Sequence, residues 1–183
     1  MKKLLSLATA ALFLVGCEQA FTLEGEDANV QEVTEKAPSE LVVGVSISTL
    51  NNPFFVSLEE GINNLAEENG TKIKSLDAQN DTAKQTNDVD DLIQQGVDIL
   101  LINPVDSSAI TPAVESANAK GIPVITIDRS SESGKILALV ASDNVEGGEM
   151  AAEYIKQISG ENVETVQLEG VPGASASRER GKG

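Results

Sequence analysis

The chain has 183 residues, of which 40% are hydrophobic and only 3% aromatic, and a formal net charge of −16 at pH 7. So acidic a surface repels phosphate backbones, which excludes nucleic acid as the expected partner. The absence of histidine removes Ser–His–Asp and Cys–His nucleophilic chemistry and the commonest transition-metal ligand, so neither a metal nor another cofactor is expected.

In chain order, "MKKLLSLATAALFLVGC" opens with two lysines and continues with an apolar stretch from Leu4 to Val15 that is too short for a permanent membrane span. Residues 1–16 read as a secretory signal. The ending "LVGC" resembles a bacterial lipobox, which implies that Cys17 is acylated and becomes the first residue after cleavage. The competing reading is a free cysteine beside an ordinary cleavage site. A lipid anchor at Cys17 would hold the protein to a membrane by burying methylenes, each worth about 0.8 kcal/mol. Residues 17–40 are acidic and lack sustained periodicity, as in a flexible tether; a short surface helix through "ANVQEVTEK" is the alternative.

From Leu41, strand-length apolar runs alternate with helical patterns. "LVVGVSIS" (41–48) predicts a strand, and Phe55, Leu58, Ile62 and Leu65 predict a helix closed by Gly70. "TKIKSLD" (71–77) is a half-polar strand, after which Asp81 caps a helix with Val89, Leu92 and Ile93 on its buried stripe. "DILLINP" (98–104) suits a strand covered on both faces. Ile110, Ala113, Val114 and Ala117 mark a third helix with Pro112 at its first position. "IPVITID" (122–128) and "ILALVAS" (136–142) complete five strands, and the whole pattern predicts an α/β fold with a doubly wound parallel sheet. Asp143 and Glu146 predict a capping box for a helix through Ile158, followed by a strand over 163–170 and a glycine-rich turn over 171–183. One strand and one helix cannot enclose a core, so residues 143–183 read as the start of an incomplete second α/β lobe after a first lobe over 41–142.

Ligands of open parallel sheets bind beyond the carboxyl ends of the strands. Asn52, Phe54 and Phe55 follow the first strand, Gln79 and Asn80 the second, Asn103 and Asp106 the third, Asp128 and Arg129 the fourth. Pro53 restricts Asn52 to extended backbone and pre-sets its own φ, which fixes where both Phe side chains begin. Phe55 fits the buried stripe and reads equally as core, whereas Phe54 lies off it. An aromatic face beside amide, carboxylate and guanidinium groups matches a small polyol with one apolar side. Asp128 and Arg129 read alternatively as an ion pair capping the sheet edge.

"STLNNPFFVSL", "LLINPVDS", "IPVITIDR", "ASDNVEGG" and "ASASRERG", in this order and spacing, resemble the ribose-binding branch of the type I periplasmic sugar-binding family of bacterial ABC transporters, from about Leu41 to Gly183. The resemblance implies that Asn52, Asp128, Arg129 and Arg180 hydrogen-bond a monosaccharide, with ribose favoured, while Phe54 and Phe55 pack against its ring. It implies a hinge at Ser142 and Asp143, Arg180 reaching the ligand from the second lobe, and an extracytoplasmic monomer that delivers sugar to an ABC permease. Further contacts from the rest of the second lobe are not present in this chain.

Two other classes compete. An enzyme would need a phosphate loop or paired carboxylates. "GKG" at 181–183 lacks the upstream Gly and the following Ser or Thr of a phosphate loop, and Asp128 beside Arg129 suits a ligand contact better than a general acid. The sugar-sensing half of a repressor would begin with a basic helix-turn-helix, where a lipobox and an acidic stretch stand instead. Within the binding class, another pentose, a hexose or a furanose-like signal stays open.

Overall fold

Five short segments each find a parallel neighbour: β1 (Val42–Ile47), β2 (Lys72–Asp77), β3 (Ile99–Ile102), β4 (Val124–Ile127) and β5 (Ala138–Val140) form one sheet in the order β2-β1-β3-β4-β5. This computed structural model describes residues 36–160 and 162–183. The signal, Cys17 and the tether up to residue 35 lie outside the described residues.

Helix α1 (Pro53–Asn69) starts at a proline whose missing N–H costs nothing there, and ends at Gly70, whose φ of 70° is cheap only without a Cβ. It packs through Phe55, Leu58 and Ile62 on Val43, Val45 and Ile47. Helices α2 (Thr82–Gln94) and α3 (Thr111–Ala119) cover the opposite face, where Val89, Leu92, Val97, Leu100, Ile102, Ile110, Val114 and Val124 form the main core. A sheet with crossover helices on both faces is the doubly wound arrangement. Asp81 caps α2 by accepting from Lys84 N at 2.9 Å. On the α1 face an apolar groove of about 410 Å³ runs past Leu41, Val43, Ile62, Leu65 and Leu101.

Four details differ from expectation. Residues 36–40 are not free spacer: Pro38–Glu40 form a 3-10 turn, Thr71 Oγ1 donates to Pro38 O at 2.9 Å, and Lys36 pairs with Asp98. Strand β5 is shorter than 136–142, and its three residues are exposed at the sheet's edge. No strand forms over 163–170, where Val166 and Leu168 are more than 90% exposed and no strand among the described residues pairs with the backbone. The final segment is not merely a turn: after residues 172–173 it becomes α5 (Ser175–Lys182), with Arg180 and Lys182 in the last turn, where cations complement the helix dipole. Helix α4 (Asn144–Ser159) begins as expected, Asp143 accepting from Glu146 N at 2.9 Å. The described residues belong to one compact unit, in which α4 packs against α5.

The bond from Lys36 and the 2.8 Å bond from Val42 N to Oδ2, in that order, hold the Asp98 carboxyl below the ordinary carboxylate range, against a smaller opposing effect of burial. A folded value below the unfolded one contributes stability that is fully present above the unfolded pKa and disappears as pH falls through the folded one. Asp98→Asn is therefore expected to cost about 0.5–1 kcal/mol at neutral pH, a modest figure because Lys36 is 41% exposed. Urea titrations at falling pH check it: the gap to wild type should close in strong acid, and a constant gap would contradict the assignment.

Candidate functional site

The chain leaves β1 toward β2 on one side and returns to β3 on the other, so a crevice opens above the carboxyl ends of β1 and β3. Asn52 sits there as the N-cap of α1, its Oδ1 accepting from Phe54 N at 3.0 Å. That bond uses the carbonyl of the amide and leaves Nδ2 without a partner among the described residues. It also fixes the first turn of α1, which throws Phe54 outward, 58% exposed, and Phe55 inward, 2% exposed. The two rings meet edge to face at 5.4 Å.

From the other side, β4 ends in a tight reversal at Asp128. Arg129 N donates to Ile127 O at 2.7 Å while Asp128 holds φ at 64°, which is a γ-turn of the strained hand. Strain of this kind persists where surrounding bonds over-determine it. Here Asp128 N donates to Val140 O at 2.8 Å, and Asn103 Nδ2 donates to Ile127 O at 3.0 Å. The turn sends Arg129 back across the end of β3. Its Nη1 donates to Pro104 O at 2.9 Å and Val105 O at 3.3 Å, and its guanidinium carbon lies 5.2 Å from the centroid of Phe55.

Phe54, Phe55, Arg129 and Asp128 thus form one contiguous series joining the rims of β1 and β4. Phe55, expected against a ligand ring, is a core residue whose face supports the guanidinium. Burial pulls the pKa of Arg129 down, with Asp128 acting in the opposite direction, and a guanidinium remains charged regardless. Its Nε is buried without a hydrogen bond, the nearest anion being Asp128 Oδ2 at 3.5 Å. The Asp128 carboxylate likewise makes no hydrogen bond among the described residues. Nε and the Asp128 carboxylate face each other as an ion pair, and Nη2 makes no hydrogen bond among the described residues.

Arg180 is not brought into this group: it lies exposed on α5 without a hydrogen bond or ion pair among the described residues. The start of α5 does reach the rim, with Ser175 N donating to Ser107 Oγ at 3.2 Å and Ser130 N to Ser175 Oγ at 2.9 Å. Of the proposed hinge pair, Ser142 O accepts from Asn144 Nδ2 at 3.0 Å and Asp143 caps α4.

Sequence reasoning missed the support beneath the rim. Asn103 is fully buried: its Oδ1 accepts from Ser48 Oγ at 2.6 Å and from Ser48 N at 3.2 Å, so it ties β1, β3 and β4 rather than facing a ligand. Gln85 is also buried, bonded to Ser46, Asn103 and Val105. The available signal was polarity at core positions, Asn103 within "LLINP" and Gln85 in step with Val89 and Leu92.

A parallel sheet with aromatic, amide, carboxylate and guanidinium groups gathered at its switch point has the position and chemistry of the small-molecule sites of open α/β sheets. A periplasmic binding protein domain matches residues 43–183, and the chain belongs to that family. It is 65% identical over 144 residues to the ribose import binding protein RbsB of Bacillus subtilis (strain 168), covering 79% of this chain and 47% of that protein. Against RbsB of Escherichia coli (strain K12) it is 46% identical over 151 residues, covering 82% and 51%. Among solved structures, a Caulobacter myo-inositol binding protein bound to myo-inositol matches with a TM-score of 0.74 at 33% identity, covering 78% of this chain and 48% of that one. The chain spans about half the length of the curated relatives it matches.

Proposed function

We propose that the chain is the ligand-gripping first lobe, residues 41–142, and the beginning of the second, 143–183, of an extracytoplasmic solute-binding protein that takes up ribose or a related monosaccharide for an ABC permease. The observation that carries this reading is the rim itself, where the Asp128 carboxylate and the Arg129 guanidinium stand side by side and Phe54, joined to them through Phe55, lies 58% exposed. A sugar hydroxyl both donates and accepts, so it satisfies carboxylate and guanidinium together, and Asn52 Nδ2 adds a second donor. The C–H face of the sugar ring lies on Phe54. A neutral polyol fits these groups better than an anion, since the charges already present, Asp128 and Arg129, balance. The family and the names of the two RbsB relatives support ribose; the myo-inositol-bound structure supports the wider polyol class.

In this reading Ser142 and Asp143 lie at the hinge, Arg180 approaches when the lobes close, and closure is favoured by contacts the ligand makes to both. Acylated Cys17 tethers the protein at the membrane and raises its concentration near the permease. No bond is broken, so the protein acts as a monomeric carrier without cofactor and not as an enzyme.

Calorimetric titration of the full-length protein with ribose, other pentoses, hexoses and furanose-like signals tests the reading. Tight binding of ribose is expected; tight binding of another sugar would move the substrate, and no heat with any monosaccharide would sink the function. In the same assay Phe54→Ala should weaken binding by about tenfold or more through loss of the apolar face. Because that ring is 58% exposed, thermal unfolding of the variant should match wild type. Unchanged affinity would remove Phe54 from the site.

A further inference from the structure

We propose that Gln85 is the positioning residue of the Arg129 guanidinium and sets the affinity of the rim without touching the ligand; the inference rests on the sugar-binding reading and deepens it. Gln85 is 1% exposed, at a position where the period of α2 calls for an apolar residue. Its amide bonds one short segment in both directions and reaches Ser46 besides. Nε2 donates to Asn103 O at 2.9 Å and to Ser46 Oγ at 3.2 Å, while Oε1 accepts from Val105 N at 2.7 Å.

The residue between those two bonds is Pro104, which has no N–H of its own with which to be held. Gln85 therefore brackets the proline, gripping the carbonyl before it and the amide after it. The two carbonyls that receive Arg129 Nη1 belong to this bracketed stretch, Pro104 O at 2.9 Å and Val105 O at 3.3 Å. The other partners of the guanidinium constrain its plane less. The Phe55 face attracts charge without strong directionality, and Asp128 Oδ2 stands at 3.5 Å, beyond good hydrogen-bond length. The carbonyl pair thus decides the plane of the guanidinium and where its unbonded Nη2 points. Release of residues 103–105 lets the fork rotate, and the donor meant for a hydroxyl is no longer pre-aimed.

A glutamine that merely satisfied buried polar groups would stabilise the fold in the same way whether or not Arg129 were present. A double-mutant cycle on the full-length protein separates the two roles, with Gln85→Met and Arg129→Met, singly and together, titrated with the tightest-binding monosaccharide and followed by thermal unfolding. Gln85→Met alone should weaken binding about fivefold or more, and in the Arg129→Met background it should change affinity less than about twofold, because the group it positions is gone. Equal losses in both backgrounds, or no loss in either, would overturn the positioning role. Should Gln85→Met fail to fold, Gln85→Asn, one methylene too short to reach both bonds, carries the same expectation. If Arg129→Met itself binds sugar like wild type, the guanidinium is no ligand contact and the positioning role falls with it; if Arg129→Met is weakened but the Gln85 losses add, only the positioning role falls. If the wild type binds no monosaccharide, the sugar-binding reading itself falls.

Discussion

Arg129→Met in the full-length protein is expected to weaken sugar binding by roughly 10- to 100-fold, the range of a charge-assisted hydrogen bond worth about 1.5–3 kcal/mol. Methionine keeps a long stem over Phe55 but removes a group that links the rims of β4, β3 and β1 by hydrogen bond and cation–π contact together. Three consequences follow from one deletion: the unbonded Nη2 donor is lost, two carbonyls at the end of β3 lose a partner, and Asp128 loses its counter-charge. The last of these leaves a strained carboxylate-bearing turn without the cation beside it. Arg129→Lys should recover little, since an ammonium cannot span two carbonyls, stack on a ring and offer a further N–H in one plane. Calorimetric affinities of the two variants check this. An affinity within a factor of two of wild type in Arg129→Met would mean that the guanidinium serves the fold alone.

Leu92→Ala is expected to lower stability by about 2–5 kcal/mol, a large part of the roughly 5–15 kcal/mol available to a domain. Leu92 is fully buried where α2 crosses β1. A Cβ added at Gly44 would lie 3.3 Å from Leu92 Cδ1 and 2.9 Å from Leu100 Cδ2, so the leucine side chain rests directly on the backbone of β1. Packing this close leaves the neighbours little room to collapse into the void, which puts the cost in the upper part of that range. Denaturant unfolding should show a lower midpoint with an unchanged slope. A loss under about 1 kcal/mol would show that the α2 face relaxes freely.

The elements were legible wherever local pattern and tertiary burial agree. Val43, Val45 and Ile47 alternate along β1, and Val89 and Leu92 recur at helical spacing on α2, because side-chain direction follows backbone period. Caps were legible at Asp81 and Asp143, where a short acceptor meets the first free N–H groups. The 163–170 stretch misled, since a strand is stabilised by its partner and composition alone cannot supply one. Residues 174–176 misled in the other direction: they look like turn material, yet they are buried against the rim as the start of α5.

At the site, the sequence by itself determined which chemical groups gather at the strand ends, because a parallel α/β chain must return every strand's carboxyl end to the same edge. It also determined, through Asn52 and Pro53, that the two Phe rings diverge from one helical turn. Only the tertiary structure decided their roles. Phe55 became a support for Arg129 and Asn103 a tie beneath the rim, while the backbone of Asp128 was forced left-handed. These outcomes depend on contacts between residues far apart in the chain, such as Arg129 with Phe55 and Gln85 with Val105. No local period encodes such contacts; they follow from packing β1, β3 and β4 side by side.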